Sequence, residues 1–276
     1  MSSTVVEEYD RADRADRAHR RDTSHRARAV ARALRDPRPL HVPRGFDPAM
    51  VDDLPEPARR WLRHAIAPGT LLFGAIELQM SGEIKLGSWR PFTATQALVP
   101  DAGFVWAAHT KLAGLPVRGF DSYSLGEGRM SWRVLGILPV MSGTGYDATR
   151  SAADRLAAEA VLLPSSLVTA SWRPGPEPDS ATYLRHLGRR VASAWATISV
   201  APDGQLRSVS LSRWGAPHGG GYAPHMFEVT FDSEYLADGI AIPDRWSAAW
   251  IDGSRREAFF RASIDSAYCL LAAGST

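Results

Sequence analysis

The sequence predicts an α+β fold, in which one strongly curved antiparallel sheet or open barrel of about ten strands is covered by two or three helices. Three observations lead to this prediction. Residues 103–140 alternate along the chain with a period of two and are rich in aromatic residues. Short glycine-bearing connectors such as Asp203-Gly204 separate the alternating segments. Residues 149–167 are rich in alanine and leucine, as stable helices are.

The strand pattern is clearest in residues 103–140, where three consecutive strands are predicted. Phe104, Trp106 and Ala108 fall on one face of the first strand. Short connections favour antiparallel neighbours, because a parallel crossover needs about a dozen residues or more. The other strands are predicted near residues 75–86, 89–99, 191–200, 205–214, 226–235, 241–251 and 257–267. A Pro/Gly-rich tract at 172–183 is predicted to be a loop.

Two helices are predicted with some detail. In residues 54–66 the apolar positions recur at helical spacing and form one stripe, made of Leu54, Ala58, Trp61, Leu62 and Ala65. Asp53 is the expected cap of this helix. The second helix covers residues 149–167, with Thr149 or Ser151 as its expected cap.

The charge of the chain is uneven. Its 276 residues carry 32 basic and 30 acidic side chains, and residues 1–40 hold ten of the arginines against seven acids. The remainder has 22 basic and 23 acidic residues. A nucleic-acid-binding face needs clustered basic residues, so the folded body is not expected to bind nucleic acid.

The composition also indicates how the chain is divided into an arm and a folded domain. Residues 1–40, with their Arg-Ala-Asp repeats, are predicted to be a basic, low-complexity, disordered arm, with binding to anionic surfaces or nucleic acid as the alternative. Residues 41–276 are predicted to form a single antiparallel-sheet domain. The single cysteine, Cys269, excludes an intramolecular disulfide. No apolar run approaches the length of a membrane span, and no secretory signal is evident, so a cytoplasmic location is expected.

Motifs for common chemistries are weak or absent. Residues 143–148, GTGYDA, imitate a dinucleotide-binding loop but lie among antiparallel strands rather than in a parallel βαβ unit. The His218-Gly-Gly-Gly stretch resembles an oxyanion-hole loop, but the chain has no G-x-S-x-G nucleophile elbow. His218 and His225 form only two possible metal ligands. No cofactor and no metal are therefore expected.

Strand aromatics are the candidate ligand-binding residues. A curved sheet covered by helices often leaves a gap, and such cavities hold apolar ligands. Trp246, Ala248 and Trp250 share one face, with a small residue between two large ones. The aromatic residues expected to line the cavity are Trp106, Tyr123, Trp132, Trp246 and Trp250. Filling of the core is the alternative role for all five.

Glu159 is the candidate catalytic or ligand-orienting acid. It follows Leu156 by three residues and precedes Leu163 by four, so it shares their apolar helix stripe. A carboxylate on such a face can serve as an acid or a base. The alternative is a structural ion pair with Arg155, one helical turn earlier.

Several segments together resemble a bacterial family of unknown function. They agree with that family in order and spacing from about residue 52 to about residue 265, and they depart from it after Trp172 and in the HGGGYAPH loop. The family's fold is in turn similar to the outer-membrane lipoprotein carriers, which implies an open half-barrel whose apolar concave face is lidded by helices. Those carriers are periplasmic, and their location is not transferred to this chain. The segments are LPEPARRWLRHAI, GEIKLGSWRPFTATQ, GFVWAA, GFDSY, GEGRMSWRVLGILPV, LAAEAVLLPSSL, RWG and GIAIPDRWSAAW.

Three functions follow as hypotheses. The first is a binding module for an apolar small molecule or lipid, which it presents to other enzymes. The second is an enzyme that uses the same cavity for cyclisation or rearrangement of an apolar substrate. The third is a scaffold without a ligand. A buried acid that touches a continuous cavity would favour the enzyme, a purely apolar cavity would favour binding, and a filled core would favour the scaffold.

Overall fold

The computed structural model describes residues 44–186, 193–217 and 219–271. The predicted arm at 1–40 and His218 lie outside them. In the described residues one antiparallel sheet contains thirteen strands. They are β1 (Ala75–Leu86), β2 (Ser88–Val99), β3 (Gly103–Leu112), β4 (Leu115–Ser124), β5 (Glu127–Val134), β6 (Leu138–Gly143), β7 (Ser171–Pro174), β8 (Ser180–Arg185), β9 (Ala194–Val200), β10 (Leu206–Gly215), β11 (Ala223–Ala237), β12 (Ile240–Asp252) and β13 (Arg255–Leu270).

The sheet consists of two meanders. Strands β1 to β6 pair in sequence order, as do β7 to β13, and the pairing of β1 with β13 joins the two halves. Strands β6 and β7 are the two outer strands, so the sheet is not closed. Short turns between chain neighbours explain why the pairs within each meander are antiparallel. The pair of β1 with β13, which are not chain neighbours, is antiparallel as well.

Two α-helices occur in the described residues, α1 (Glu56–Ala65) and α2 (Tyr146–Glu159). Helix α2 and the short 3₁₀ turns after it connect β6 with β7, the two edges of the sheet. The chain therefore crosses one face of the sheet. Along this path α2 contacts β3, β4 and β5 of one meander and β9 and β10 of the other.

Helix α1 buries most of the stripe that its sequence predicts, whereas Leu54 precedes the helix and is only partly buried. Ala58, Trp61, Leu62 and Ala65 are each at most 1% exposed. The ring of Trp61 meets the edge of Trp172 with their centroids 6.4 Å apart. Asp53 is not the cap, because the helix begins at Glu56 after Pro55 and has no side-chain cap.

Helix α2 begins earlier than predicted. Its first residue is Tyr146, preceded by Gly145 at a φ of 86°. Neither Thr149 nor Ser151 is its cap. The Thr149 hydroxyl instead accepts a hydrogen bond of 3.0 Å from the backbone N–H of Gly128 on β5. The helix start is thus set by a glycine turn and by packing on the sheet.

The expectation of about ten strands was too low, because three short strands were missed. Strand β6 follows a three-residue connection, residues 135–137, in which Leu135 and Gly136 both have positive φ, the geometry that suits hairpins. The apolar residues around Gly136 conceal this turn in the sequence. Strands β7 and β8 occupy the tract predicted as a loop. Strand β7 tolerates Pro174 because it is an edge strand and has one neighbour.

Candidate ligand cavity

A cavity of about 150 Å³ lies between α2 and the sheet. Most of its wall is apolar and comes from β1, β3 and β10 to β13. The apolar lining consists of Met80, Ile84, Trp106, Ala158, Val161, Leu162, Val209, Phe227, Val229, Phe231, Trp246, Ala248, Phe259 and Phe260. The polar lining is confined to Gln96, Asp121, Arg155, Glu159 and Arg213. The site therefore combines a large apolar surface with a small charged cluster.

A β-bulge in β13 shapes the apolar wall. In the pairing of β12 with β13, Ala248 is opposite Phe260 and Ala249 is opposite Ala258, so Phe259 has no partner. Consecutive strand residues normally point to opposite faces, but an extra residue breaks this alternation. Both Phe259 and Phe260 line the cavity as a result. The small side chain of Ala248 leaves space beside them.

Aromatic contacts hold the wall in place. The ring of Phe260 lies 5.9 Å from that of Trp106 and 4.9 Å from that of Phe92. The indole N–H of Trp106 donates to the sulfur of Met80 over 3.4 Å. On the other side, Phe259 stacks on Trp250 with centroids 5.9 Å apart. These contacts fix the side chains at the cavity surface.

Arg155 is the centre of the charged cluster. Its Nε donates to Glu159 Oε1 over 2.7 Å, and its Nη1 donates to Asp121 Oδ2 over 3.1 Å. Gln96 on β2 donates to the second Glu159 oxygen over 2.7 Å. The guanidinium also lies over the Trp106 ring at 5.1 Å. The ion pair with Arg155 is therefore present, and it forms inside the cavity rather than at an exposed helix edge.

Asp121 is positioned by β4 and β5. Its Oδ1 accepts a hydrogen bond of 3.0 Å from the indole N–H of Trp132. Trp132 reaches it by crossing over Gly119, where a Cβ atom would collide with the indole ring. Burial raises the pKa of Asp121, while Arg155, Trp132 and Arg213 act in the opposite direction.

Arg213 extends from β10 into the other side of the cluster. Its guanidinium lies over the rings of Phe227 at 4.7 Å and Trp250 at 5.4 Å. Burial, with a smaller effect of Arg155, lowers the pKa of Arg213 to about 10, and the acids Asp154, Glu159 and Asp121 oppose this shift. The side chain therefore remains charged at neutral pH.

The structure divides the six predicted site residues into two groups. Trp106, Glu159 and Trp246 line the cavity. Tyr123, Trp132 and Trp250 are not among the lining residues of the described chain. Trp132 supports Trp106 at 5.6 Å between ring centroids, and Trp250 supports Phe227 at 5.3 Å.

Sequence reasoning missed Asp121 and Arg213. Both stand on the inward face of a predicted strand, where an alternating pattern could have revealed them. Asp121 lies two residues before Tyr123, on the same face of the strand, and is the cross-strand partner of Trp106. Arg213 lies four residues after Val209, on the same face of the strand, and Val209 also lines the cavity. A charged residue at an inward position is the signal for both.

Within residues 44–186, 193–217 and 219–271, no three His, Cys, Asp or Glu side chains are placed to share a metal ion. Among the same residues, neither helix has the length and apolar character needed to cross a membrane.

The sequence matches a family of proteins. Residues 44–262 match DUF6544, a family of unknown function, and because this range is most of the chain, the protein belongs to that family. The predicted resemblance to such a family is confirmed. No curated protein matches the chain in sequence.

Several solved structures are similar to the chain at low identity. A putative outer membrane lipoprotein-sorting protein domain from Vibrio parahaemolyticus is 7% identical, with 79% of this chain and 93% of that chain covered and a TM-score of 0.43. A LolA superfamily protein from Nitrosomonas europaea is 9% identical, with coverages of 78% and 91% and a TM-score of 0.40. A DUF1329 family protein from Desulfovibrio piger is 10% identical, with coverages of 81% and 94% and a TM-score of 0.34. The chemistry of any ligand has to be inferred from the cavity itself.

Proposed function

We propose that this member of the DUF6544 family binds an apolar small molecule, or one apolar segment of a lipid, between α2 and the sheet. The observation that carries the proposal is the cavity, whose wall is mostly aliphatic and aromatic and whose polar groups are gathered in one cluster. Small-molecule sites have this composition, with a few polar groups that orient the ligand.

The size of the cavity limits the ligand. A volume of about 150 Å³ equals that of an engineered apolar cavity that binds benzene. One ring fits the apolar part of this space, and a short chain attached to the ring can extend toward the charged cluster. Each CH₂ group that the ligand buries contributes about 0.8 kcal/mol to the free energy of binding. A ligand whose hydrocarbon part fills the cavity can therefore bind through apolar contact with the wall.

A cavity-filling substitution tests the proposal. The neutral probe 3-phenylpropan-1-ol is titrated into the protein while tryptophan fluorescence is recorded, since Trp106 and Trp246 line the cavity. Ala248→Leu places a larger side chain in the same space and should weaken binding by about tenfold or more, which is about 1.4 kcal/mol. The matched control is Ala107→Leu on β3, which lies in a groove on the opposite face of the sheet.

The binding of the probe to the wild type and to the two variants supports or contradicts the proposal. Binding to the wild type and to Ala107→Leu, with loss in a folded Ala248→Leu variant, supports the proposal. The absence of any fluorescence change for the wild type, or equal binding by both variants, contradicts it. Circular dichroism and the melting temperature establish that each variant is folded.

An enzyme acting in the same cavity is the second candidate, and Asp121 is the observation that favours it. This carboxyl group lines the cavity, and burial raises its pKa, as is common for acids that transfer protons. A bound compound that is recovered chemically altered from the wild type, but unaltered from Asp121→Asn, would favour the enzyme. Recovery of an unaltered compound from both would favour simple binding.

A further inference from the structure

Arg213 differs from Arg155 in how its charge is satisfied. Arg155 donates to two carboxylates, Glu159 and Asp121. Among the described residues, Arg213 forms no ion pair within 4.0 Å, and its buried Nε has no hydrogen-bond partner. Its contacts are the faces of Phe227 and Trp250. One of the two cavity arginines thus retains its hydrogen-bonding capacity.

The nearby acids do not replace a direct partner for Arg213. Glu159 accepts from Arg155 and Gln96, one oxygen each. Asp121 accepts from Arg155 and from Trp132. Asp154, the acid with the largest effect on Arg213, accepts a hydrogen bond of 2.7 Å from the backbone N–H of Trp214. All three carboxylates act on Arg213 through longer-range attraction. Arg213 is partly buried, and a cation partly withdrawn from water without a close partner is costly, so an anion beside it would be stabilising.

We infer that Arg213 binds the carboxylate of a small apolar monocarboxylic acid whose hydrocarbon part occupies the cavity. This inference rests on the proposed function and adds the chemical class of the ligand. Arg213 lies on β10, and the apolar wall continues over Val229, Phe231 and Trp246 on the next two strands. A ligand whose carboxylate meets Arg213 can therefore place its hydrocarbon against these residues.

Two features favour a carboxylate over a phosphate. A guanidinium presents its N–H groups as a planar fork, which matches the two oxygens of a carboxylate. A phosphate monoester carries close to two negative charges at neutral pH. The second charge would meet the carboxylates of Asp121 and Glu159 on the same cavity wall. The two arginines and two carboxylates of the lining already balance one another, so one added negative charge is less unfavourable than two.

A pair of matched probes tests the inference. 3-Phenylpropanoate and 3-phenylpropan-1-ol have the same hydrocarbon part and differ in the anionic head group. The wild type is expected to bind the acid at least about tenfold more tightly than the alcohol, since only the acid forms a hydrogen bond between two charged groups with Arg213. Isothermal titration calorimetry at pH 7 measures both affinities.

Variants at Arg213 assign the preference to this side chain. Arg213→Gln should bind both probes with equal affinity, at the level of the alcohol. Arg213→Lys keeps the charge without the fork and should retain only part of the preference. Arg207→Gln is the matched control, because Arg207 is an exposed residue of the same strand. It should leave both affinities unchanged.

The possible results distinguish failure of this inference from failure of the proposed function. Equal binding of acid and alcohol by the wild type overturns the inference and leaves the proposed function in place. A preference for the acid that persists in folded Arg213→Gln places the charge contact elsewhere and also overturns it. Binding of neither probe overturns the proposed function and this inference together. If neither Arg213 variant folds, the wild-type comparison still shows whether the cavity prefers the acid, and equal binding of the two probes overturns the inference.

Discussion

The two helices pack against the same sheet but bury very different surfaces. Under α1, Trp61 and Leu62 are fully buried within the apolar core. Under α2, Arg155 and Glu159 face a cavity and carry an ion pair into it. The same kind of helix-to-sheet contact thus yields a filled core at one place and a charged cavity at the other.

The ion pairs of the helices show the same contrast. On α1, Arg60 pairs with Glu56, and Arg63 pairs with Asp52, among partly exposed side chains. On α2, the pair formed by Arg155 and Glu159 is less than 20% exposed. Surface pairs contribute little to stability, whereas a buried pair is sensitive to the loss of one partner. The α1 region therefore contributes mainly to stability, whereas the α2 region presents charged side chains to the cavity.

The largest expected effect comes from the filled region. Trp61→Ala removes a side chain with no exposed surface and should reduce the free energy of unfolding by about 3–5 kcal/mol. Urea denaturation measures the loss. Trp195→Ala is the control, since Trp195 is 40% exposed, and it should cost about 1 kcal/mol or less. A loss below about 1 kcal/mol for Trp61→Ala would show that α1 is not a main source of stability.

The contrast also explains what the sequence could predict. The stripe of α1 and the inward face of β3 repeat a local pattern, so Trp61 and Trp106 could be assigned to the interior. The cavity depends on non-local features. The bulge at Phe259 appears only when β12 and β13 are paired. Arg213 and Asp121 become neighbours of the cavity only because α2 crosses from one meander to the other.

A pH dependence is expected from the cavity region. Burial raises the pKa of Asp121 above the ordinary value of 3.8, so the folded protein holds this proton to higher pH than the unfolded chain does. The stabilisation is complete below the unfolded pKa and is lost as the pH rises through the folded pKa. Asp121→Asn removes this contribution. The stability of the wild type relative to Asp121→Asn should therefore fall as the pH rises above about 4.

Urea denaturation of both proteins across this pH range measures the difference. Asp252→Asn is the control, because Asp252 is exposed at the end of β12. Its stability relative to the wild type should not follow the same trend. A wild-type advantage that grows with pH over Asp121→Asn would mean that the carboxylate is stabilised in the folded state, contrary to the expected effect of burial.

The smallest expected effect is the difference in stability between two variants, each of which breaks one ion pair of i, i+4 spacing. Glu56→Gln on α1 breaks a pair whose glutamate is 51% exposed and should cost about 0.3–0.5 kcal/mol. Glu159→Gln on α2 breaks the enclosed pair with Arg155 and should cost about 1 kcal/mol. Urea denaturation of the two variants under the same conditions gives the difference.

The modest cost of Glu159→Gln depends on Gln96. The amide of Gln96 donates to Glu159 Oε2 over 2.7 Å, and after the substitution two NH₂ groups would face each other. A rotation of the Gln96 amide by 180° presents its oxygen and restores the hydrogen bond. A cost well above about 1 kcal/mol would mean that neighbouring side chains prevent this rotation. Binding of 3-phenylpropan-1-ol separates the two roles of Glu159, because an acid that orients the polar end of a ligand would weaken that binding when replaced, whereas a structural partner of Arg155 would not.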